Sequence, residues 1–508
     1  MTRAPGRFDL RVAAALLVLN LVVHFVPFDR PGFQPDDFGW LELARRGEPW
    51  SFVNTALAQG TRPLGLMLFM MQPYVLGLHE GTQLAILIGT TSLLTLLVYA
   101  YLAGLFSSRI AALAALAFVL WPVKHEIYAS QLFGVNNFAA ILVVASGLLF
   151  RRWTRGGGAL VFALALAAYG LSLFVYEIGY LAPILFYLVA RREGPRARSA
   201  ALFLIPAALY WVFRWMHPHV VITTGRFDIS LDALGVGLPS LPSNLVGYQL
   251  ARNVAYGLFA VWTGPDWFQL LCATTSIGAG LLAGRWIKSE AGEAPRRTDW
   301  LFVAGAGLLS AFALAAPAAM ILVESRHSIL ASVGMGVVVA AVATRIPRVV
   351  GEAVFVILLL SSHGLALRQA EVSRLQASVH ETLARQRDDI RASKIVVIDI
   401  ASLADRVPYT WGEKSTNVLR AYWGLHAFAA GGLSAMVAEV LHPDPRSSQP
   451  RVAVCAAGLA LSEEAVRCDR NYANGRPFTI RRPGALVVDF KTLRLPPSIQ
   501  ASGQGSLP

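Results

Sequence analysis

The 508-residue chain is 55% hydrophobic and only 15% charged, and 44 lysines and arginines against 31 acids leave a formal net charge of +13. Such a composition excludes an ordinary soluble domain. The positive charge sits in short arginine clusters beside hydrophobic stretches, a membrane-topology pattern rather than one basic face, which argues against nucleic acid as a partner.

Arg3, Arg7 and Arg11 precede the first apolar stretch, about 10–28, and put the N-terminus in the cytoplasm. That stretch has no small-residue cleavage site and reads as an anchor rather than a signal peptide. The loop after it is then external, and it carries Asp36, Asp37 and Glu42. Further spans are expected at roughly 82–106, 109–122, 134–150, 157–174, 177–190, 199–216, 266–284, 299–317, 327–344 and 349–367. They put the groups at Arg109, Arg151, Arg191, Arg285 and Arg345 on the cytoplasmic side together. The fold class is an all-α polytopic membrane protein of about eleven transmembrane helices over residues 1–367. Stretches 62–78 and 250–263 are short and interrupted by polar residues, and read as interfacial helices on the outer leaflet.

The tail changes character. Residues 368–393 read as a polar linker helix, 394–495 as a small extracytoplasmic α/β domain, and 496–508 as a disordered end. Strands are expected at 394–400, 452–456 and 485–490, with a helical stretch around 415–440. Cys455 and Cys468 fall in this domain; a disulfide and two free thiols are equal readings. No phosphate-cradling glycine loop, HExxH or zinc spacing occurs, so a bound cytoplasmic nucleotide is not the expected source of chemistry.

The polar residues gather at the outer helix ends: Asp36, Asp37 and Glu42, then Arg62, then Lys124, His125 and Glu126, then Tyr176 and Glu177, then Glu324, Arg326 and His327. Ionisable groups at membrane helices are costly to keep, so their clustering at one face is read as a site. Carboxylates there activate a hydroxyl, and Arg62, Lys124, His125, Arg326 or His327 neutralise a phosphate. A lipid-linked sugar brings both phosphate and hydrocarbon to such a face. Each residue also has a structural reading. Asp37 suits a helix N-cap, Glu126 and Glu177 suit paired or snorkelling helix-end acids, the two histidines suit solvated interface positions, and Arg326 suits a helix anchor.

The run Asp36-Asp-Phe-Gly-Trp-Leu-Glu-Leu-Ala-Arg45 resembles the first-loop signature of GT-C membrane glycosyltransferases, as in the lipid A aminoarabinose transferases. Arg62-Pro-Leu64, Trp121-Pro-Val-Lys-His-Glu126, Tyr176-Glu-Ile-Gly179 and Glu324-Ser-Arg-His-Ser-Ile-Leu-Ala-Ser-Val-Gly334 are similar, in order, to segments of the protein O-mannosyltransferases that carry tetratricopeptide repeats. The departures are the missing repeats, His327 and Ile329 in place of two tyrosines, and Tyr176 in place of a lysine. The resemblance implies a polyprenyl-phosphate-linked sugar donor, inversion at the anomeric carbon and no metal cofactor, although the acidic pair suits a divalent ion. It implies Asp36 as base with Asp37 beside it, Arg62, Lys124, Arg326 and His327 on the donor phosphate, and Glu42, His125, Glu126, Glu177 and Glu324 orienting the acceptor. The acceptor, whether glycan, lipid or protein, is left open. Arginine dominance over lysine points to a bacterial inner membrane with a periplasmic C-terminal domain. The rival readings are a transporter or lipid-linked glycan flippase, and an assembly subunit with a degenerate site.

Overall fold

The computed structural model describes residues 8–27, 62–76, 80–128, 131–180, 182–191, 195–216, 250–287, 329–399, 450–471 and 476–489, with a few isolated positions between. Asp36, Asp37, Glu42, Glu324, Arg326 and His327 lie outside the described residues, as do the side chains of His125, Glu126 and Glu177 and the stretches 299–317 and 415–436.

The helices run α1 (Leu10–His24), α2 (Pro63–Leu76), α3 (Glu80–Leu105), α4 (Ser108–Val119), α5 (Gln131–Thr154), α6 (Ala159–Val175), α7 (Ala182–Ala190), α8 (Leu204–Met216), α9 (Ala251–Trp262), α10 (Asp266–Ile287), α11 (Ile329–Ala343), α12 (Arg348–Arg385) and α13 (Arg387–Ala392). Three 3-10 segments, Pro122–Tyr128, Glu177–Gly179 and Pro195–Phe203, interrupt them. Among the described residues four helices are long and apolar enough to cross a membrane: Gly81–Leu105, Gly134–Thr154, Asp266–Ile287 and Arg348–Glu371. This is a membrane protein.

Several expected spans come out shorter, for local reasons. Trp121-Pro122 ends α4 early, since proline cannot continue the hydrogen-bond ladder and restricts the residue before it. The expected span 177–190 begins with a 3-10 turn and keeps only nine residues of α-helix. The stretch 199–216 is 3-10 up to Phe203 before α8 begins.

The short α4 is the axis of the bundle. Every residue from Ile110 to Val119 is buried, because its Ala- and Leu-rich surface is apolar all round and packs on α1, α3, α10 and α11. The two stretches expected to lie on the outer leaflet pack against this bundle. In α2 a Cβ on Gly65 would run into the carbonyl of Val175 at the end of α6. α9 crosses α12 backbone to backbone, with Gly257 against Ser361 and Gly364, where any side chain would hold the helices apart.

Helix α12 runs unbroken for 38 residues, about 57 Å, straight through the expected boundary at 368. No proline falls between Pro347 and its end, and the Arg368–Glu371 pair (2.8 Å) supports the helix where its composition turns polar. It leads through α13 into a five-stranded sheet of order β4-β3-β2-β1-β5. The strands are β1 (Ile395–Asp399), β2 (Arg451–Leu461), β3 (Ala465–Asn471), β4 (Phe478–Arg481) and β5 (Ala485–Asp489). β1 is parallel to both β2 and β5, while β2, β3 and β4 form an antiparallel meander. β1, β2 and β5 fall where expected. β3 and β4 were not anticipated, because Arg467, Asp469 and Arg470 mask the alternation of inward Val466 and Cys468. Cys455 and Cys468 are disulfide-bonded across β2 and β3, which settles the open pairing.

Candidate functional site

The break between α4 and α5 organises one end of the bundle. Where α4 stops, its last carbonyls lose their helical partners, and other groups must satisfy them. Side chains from several helices do so here. His24 Nε2, at the end of α1, lies 2.9 Å from the carbonyl of Val119 and donates to it as the Nε2–H tautomer; Lys124 Nζ donates to the same oxygen at 3.3 Å. Ser362 of α12 donates to the carbonyl of Leu120 (2.8 Å). Asn253 of α9 donates to that of Pro122 (3.4 Å), and Asn137 of α5 to that of Ile127 (3.4 Å). The 3-10 segment Pro122–Tyr128 is thereby tied to α1, α5, α9 and α12 at once.

Lys124 lies inside this knot rather than on an open outer surface. It is 0% exposed, it donates to the Tyr128 hydroxyl, and its Nζ sits 4.7 Å and 4.5 Å from the ring centroids of Phe118 and Tyr128. Tyr128 in turn stacks flat on His24, with centroids 3.7 Å apart, and meets Phe25 edge-on at 5.8 Å. Among the described residues no carboxylate pairs with Lys124. Burial without a counter-charge pushes the Lys124 ammonium pKa well below its usual value, and burial raises that of the Tyr128 hydroxyl. Fully buried, the side chain is not an accessible phosphate clamp.

Arg62 is placed differently. It sits at the N-terminus of α2 with φ 53, the left-handed region, which for a residue before proline is strained backbone. The strain delivers its guanidinium to within 3.7 Å of the Tyr176 ring centroid. Tyr176 ends α6, and Glu177 opens the 3-10 turn directly after it. Two segments more than 100 residues apart, Arg62-Pro-Leu64 and Tyr176-Glu-Ile-Gly179, are therefore in direct contact.

The first-loop root and the last motif approach the same end. Arg374 of α12 donates to the carbonyl of Pro27, the last described residue before the loop that carries Asp36 and Asp37. Ile329, two residues after His327, begins α11, which packs against the Pro122–Tyr128 segment. The arginines at Arg109, Arg151, Arg285, Arg345 and Arg348 fall at the opposite helix ends.

Sequence reasoning missed His24, Tyr128, Asn136, Asn137, Asn253 and Ser362. The available signal was a polar side chain inside or at the edge of an apolar run, which is costly unless bonded. Among the described residues no group of three or more His, Cys, Asp or Glu side chains is placed to hold a metal ion. No protein-family model, characterised protein or solved structure matches this chain. The class defined by fold and site is a multi-helix membrane protein with an appended mixed sheet and a polar knot at one end of the bundle.

Proposed function

We propose that the chain is a GT-C-type glycosyltransferase of about eleven spans, moving a monosaccharide from polyprenyl phosphate to an acceptor hydroxyl at the extracytoplasmic membrane face. The observation that carries the reading is the Arg62–Tyr176 contact, at the bundle end where the segment 122–128 and the root of the first loop also lie. A strained arginine at a helix N-terminus, facing the start of Glu177-Ile-Gly179, suits an anionic headgroup, because guanidinium and helix dipole act together. Asp36 takes the acceptor proton as that oxygen attacks the anomeric carbon. The sugar inverts, and polyprenyl phosphate leaves with its charge held by Arg62 and Arg326. The phosphate departs without needing a proton, so one base and a cationic clamp suffice.

The test is incubation of the purified protein with radiolabelled polyprenyl-phosphate sugars, followed by recovery of label on an acceptor. Arg62→Ala is expected to weaken donor binding about 10-fold or more, the scale of about 1.5–3 kcal/mol for losing a charged partner, and Arg62→Lys to restore only part of it. Wild-type donor affinity in Arg62→Ala removes the residue from the site.

The disulfide Cys455–Cys468 supports an oxidising, extracytoplasmic compartment for the sheet domain, bacterial periplasm in this reading. A periplasm-active reporter fused after Phe490 is expected to be active and one fused after Arg192 inactive. The reverse pattern puts the site on the wrong side for a polyprenyl-phosphate donor.

A transporter or flippase draws on one observation, the fully buried His363 within α12, whose Nε2 lies 3.0 Å from Thr275 Oγ1 of α10. Transport of intact donor without label transfer favours that reading.

A further inference from the structure

Asn136 and Asn137 stand near the start of α5, and both are buried, at 1% and 0% exposure. Asn137 donates its Nδ2 to the carbonyl of Ile127, and its Oδ1 has no partner among the described residues. In Asn136 neither Nδ2 nor Oδ1 is hydrogen-bonded among them. Nearly all buried polar groups in folded proteins are paired, so three orphaned atoms on two neighbouring amides need an explanation. Asn137 ties α5 to the 3-10 segment through one atom only, and Asn136 makes no such tie among the described residues, unlike Asn253 and Ser362 at the same end.

Their placement supplies the explanation. Helix α5 packs against both 3-10 segments that carry candidate-site residues. Asn137 faces Pro122–Tyr128 through its bond to Ile127. Asn136 shares a helix face with Val143, two turns on, where Val143 Cγ2 would lie 2.7 Å from a Cβ on Gly179. Val135, directly before Asn136, would lie 2.9 Å (Cγ1) from a Cβ on Gly65, and that same Cβ would meet the Val175 carbonyl, so the start of α5 lies beside the Arg62–Tyr176 contact. An amide carries no charge to match a phosphate, but it both donates and accepts, as a hydroxyl does. Two adjacent amides suit a compact group with several hydroxyls.

We propose that Asn136 and Asn137 form a carbohydrate subsite beside the Arg62–Tyr176 contact, reading ring hydroxyls of the transferred sugar when the two 3-10 segments part to admit it. The proposal rests on the glycosyltransferase reading and adds to it the residues that distinguish a sugar-bearing lipid from a bare one. Asn137 also holds the Ile127 carbonyl, so Asn136 is the cleaner probe.

The experiment compares the full-length wild type and Asn136→Leu in lipid nanodiscs, measuring the thermal midpoint and the affinities for polyprenyl phosphate and for polyprenyl-phosphate sugar. Leucine is close in size and lacks the orphaned atoms, so the midpoint is expected to hold or rise. Affinity for the bare lipid phosphate is expected to stay unchanged, while the preference for the sugar-bearing lipid falls about 10-fold or more. Asn136→Ser, smaller and still polar, is expected to retain part of that preference. A lowered midpoint with an unchanged preference assigns the amide to a structural water and overturns the subsite. Failure of both variants to accumulate overturns it as well, since the amide then supports the fold. If the wild type itself shows no preference for a sugar-bearing lipid, the glycosyltransferase reading fails, and the subsite with it. Loss of the subsite alone leaves the wild-type preference intact.

Discussion

Asp36→Asn is expected to lower turnover about 100-fold or more while donor affinity stays near that of the wild type. Asparagine keeps the shape of aspartate and one acceptor oxygen but takes up no proton, so the loss falls mainly on the transition state. The assignment comes from the resemblance of Asp36-Asp-Phe-Gly-Trp-Leu-Glu-Leu-Ala-Arg45 to a first-loop signature. The described residues add the root of that loop. His24 closes α1 onto the Val119 carbonyl, and Arg374 holds the Pro27 carbonyl at 3.1 Å. Asp37→Asn is expected to do less, through loop geometry or acceptor placement. Full turnover in Asp36→Asn sinks the assignment. Activity that disappears with a chelator and returns with added metal recasts the pair as cation ligands and moves the base to Glu126.

Lys124→Arg is expected to lose most of its folded protein, and Lys124→Met to keep it. Lys124 is fully buried, and burial lowers its pKa well below 10.5, so the native state disfavours its charged form. Arginine cannot shed its charge, and an uncompensated buried charge costs about 3–5 kcal/mol. Methionine fills similar space and forfeits the bond to Val119, whose carbonyl His24 still reaches, and the contact with Tyr128. The pH dependence has a definite sign. Below about pH 10.5 the unfolded chain binds a proton that the native state does not. The wild type is therefore most favoured above that pH and loses stability as pH falls toward the depressed native value. Thermal midpoints from pH 7 to pH 10 are expected to rise relative to those of Lys124→Met. A functional Lys124→Arg beside a failed Lys124→Met returns the residue to the donor phosphate, where charge matters more than neutrality.

Much of the architecture was legible from residue order. Apolar runs of helical length mark α3, α5, α10 and the first part of α12, because a chain crossing hydrocarbon must satisfy its own backbone over about 20 residues. β-branched runs mark β1 and β5. Local breakers also leave a trace, as at Trp121-Pro122, although the expected span 109–122 overran the end of α4 by three residues. Helix continuity was harder to read. Polar composition after residue 367 marks a change of solvent, not of backbone, and α12 continues through it.

What residue order alone determined is the class of protein, the period of each element and the residue types available for chemistry, since each is a property of neighbours along the chain. Only the tertiary structure decided which of those residues meet. The carbonyls freed where α4 stops are an unavoidable local demand, but they are met by His24, Asn253 and Ser362, which stand 95, 131 and 242 residues from their acceptors. Lys124 reads as an outer-face cation from its place at a helix end, and packing turns it inward, where desolvation lowers its pKa. Arg62 reads the same way by position and is carried by a strained φ onto Tyr176. Helix ends announce themselves locally. The side chains that complete them are chosen by how helices pack, and no local pattern encodes that choice.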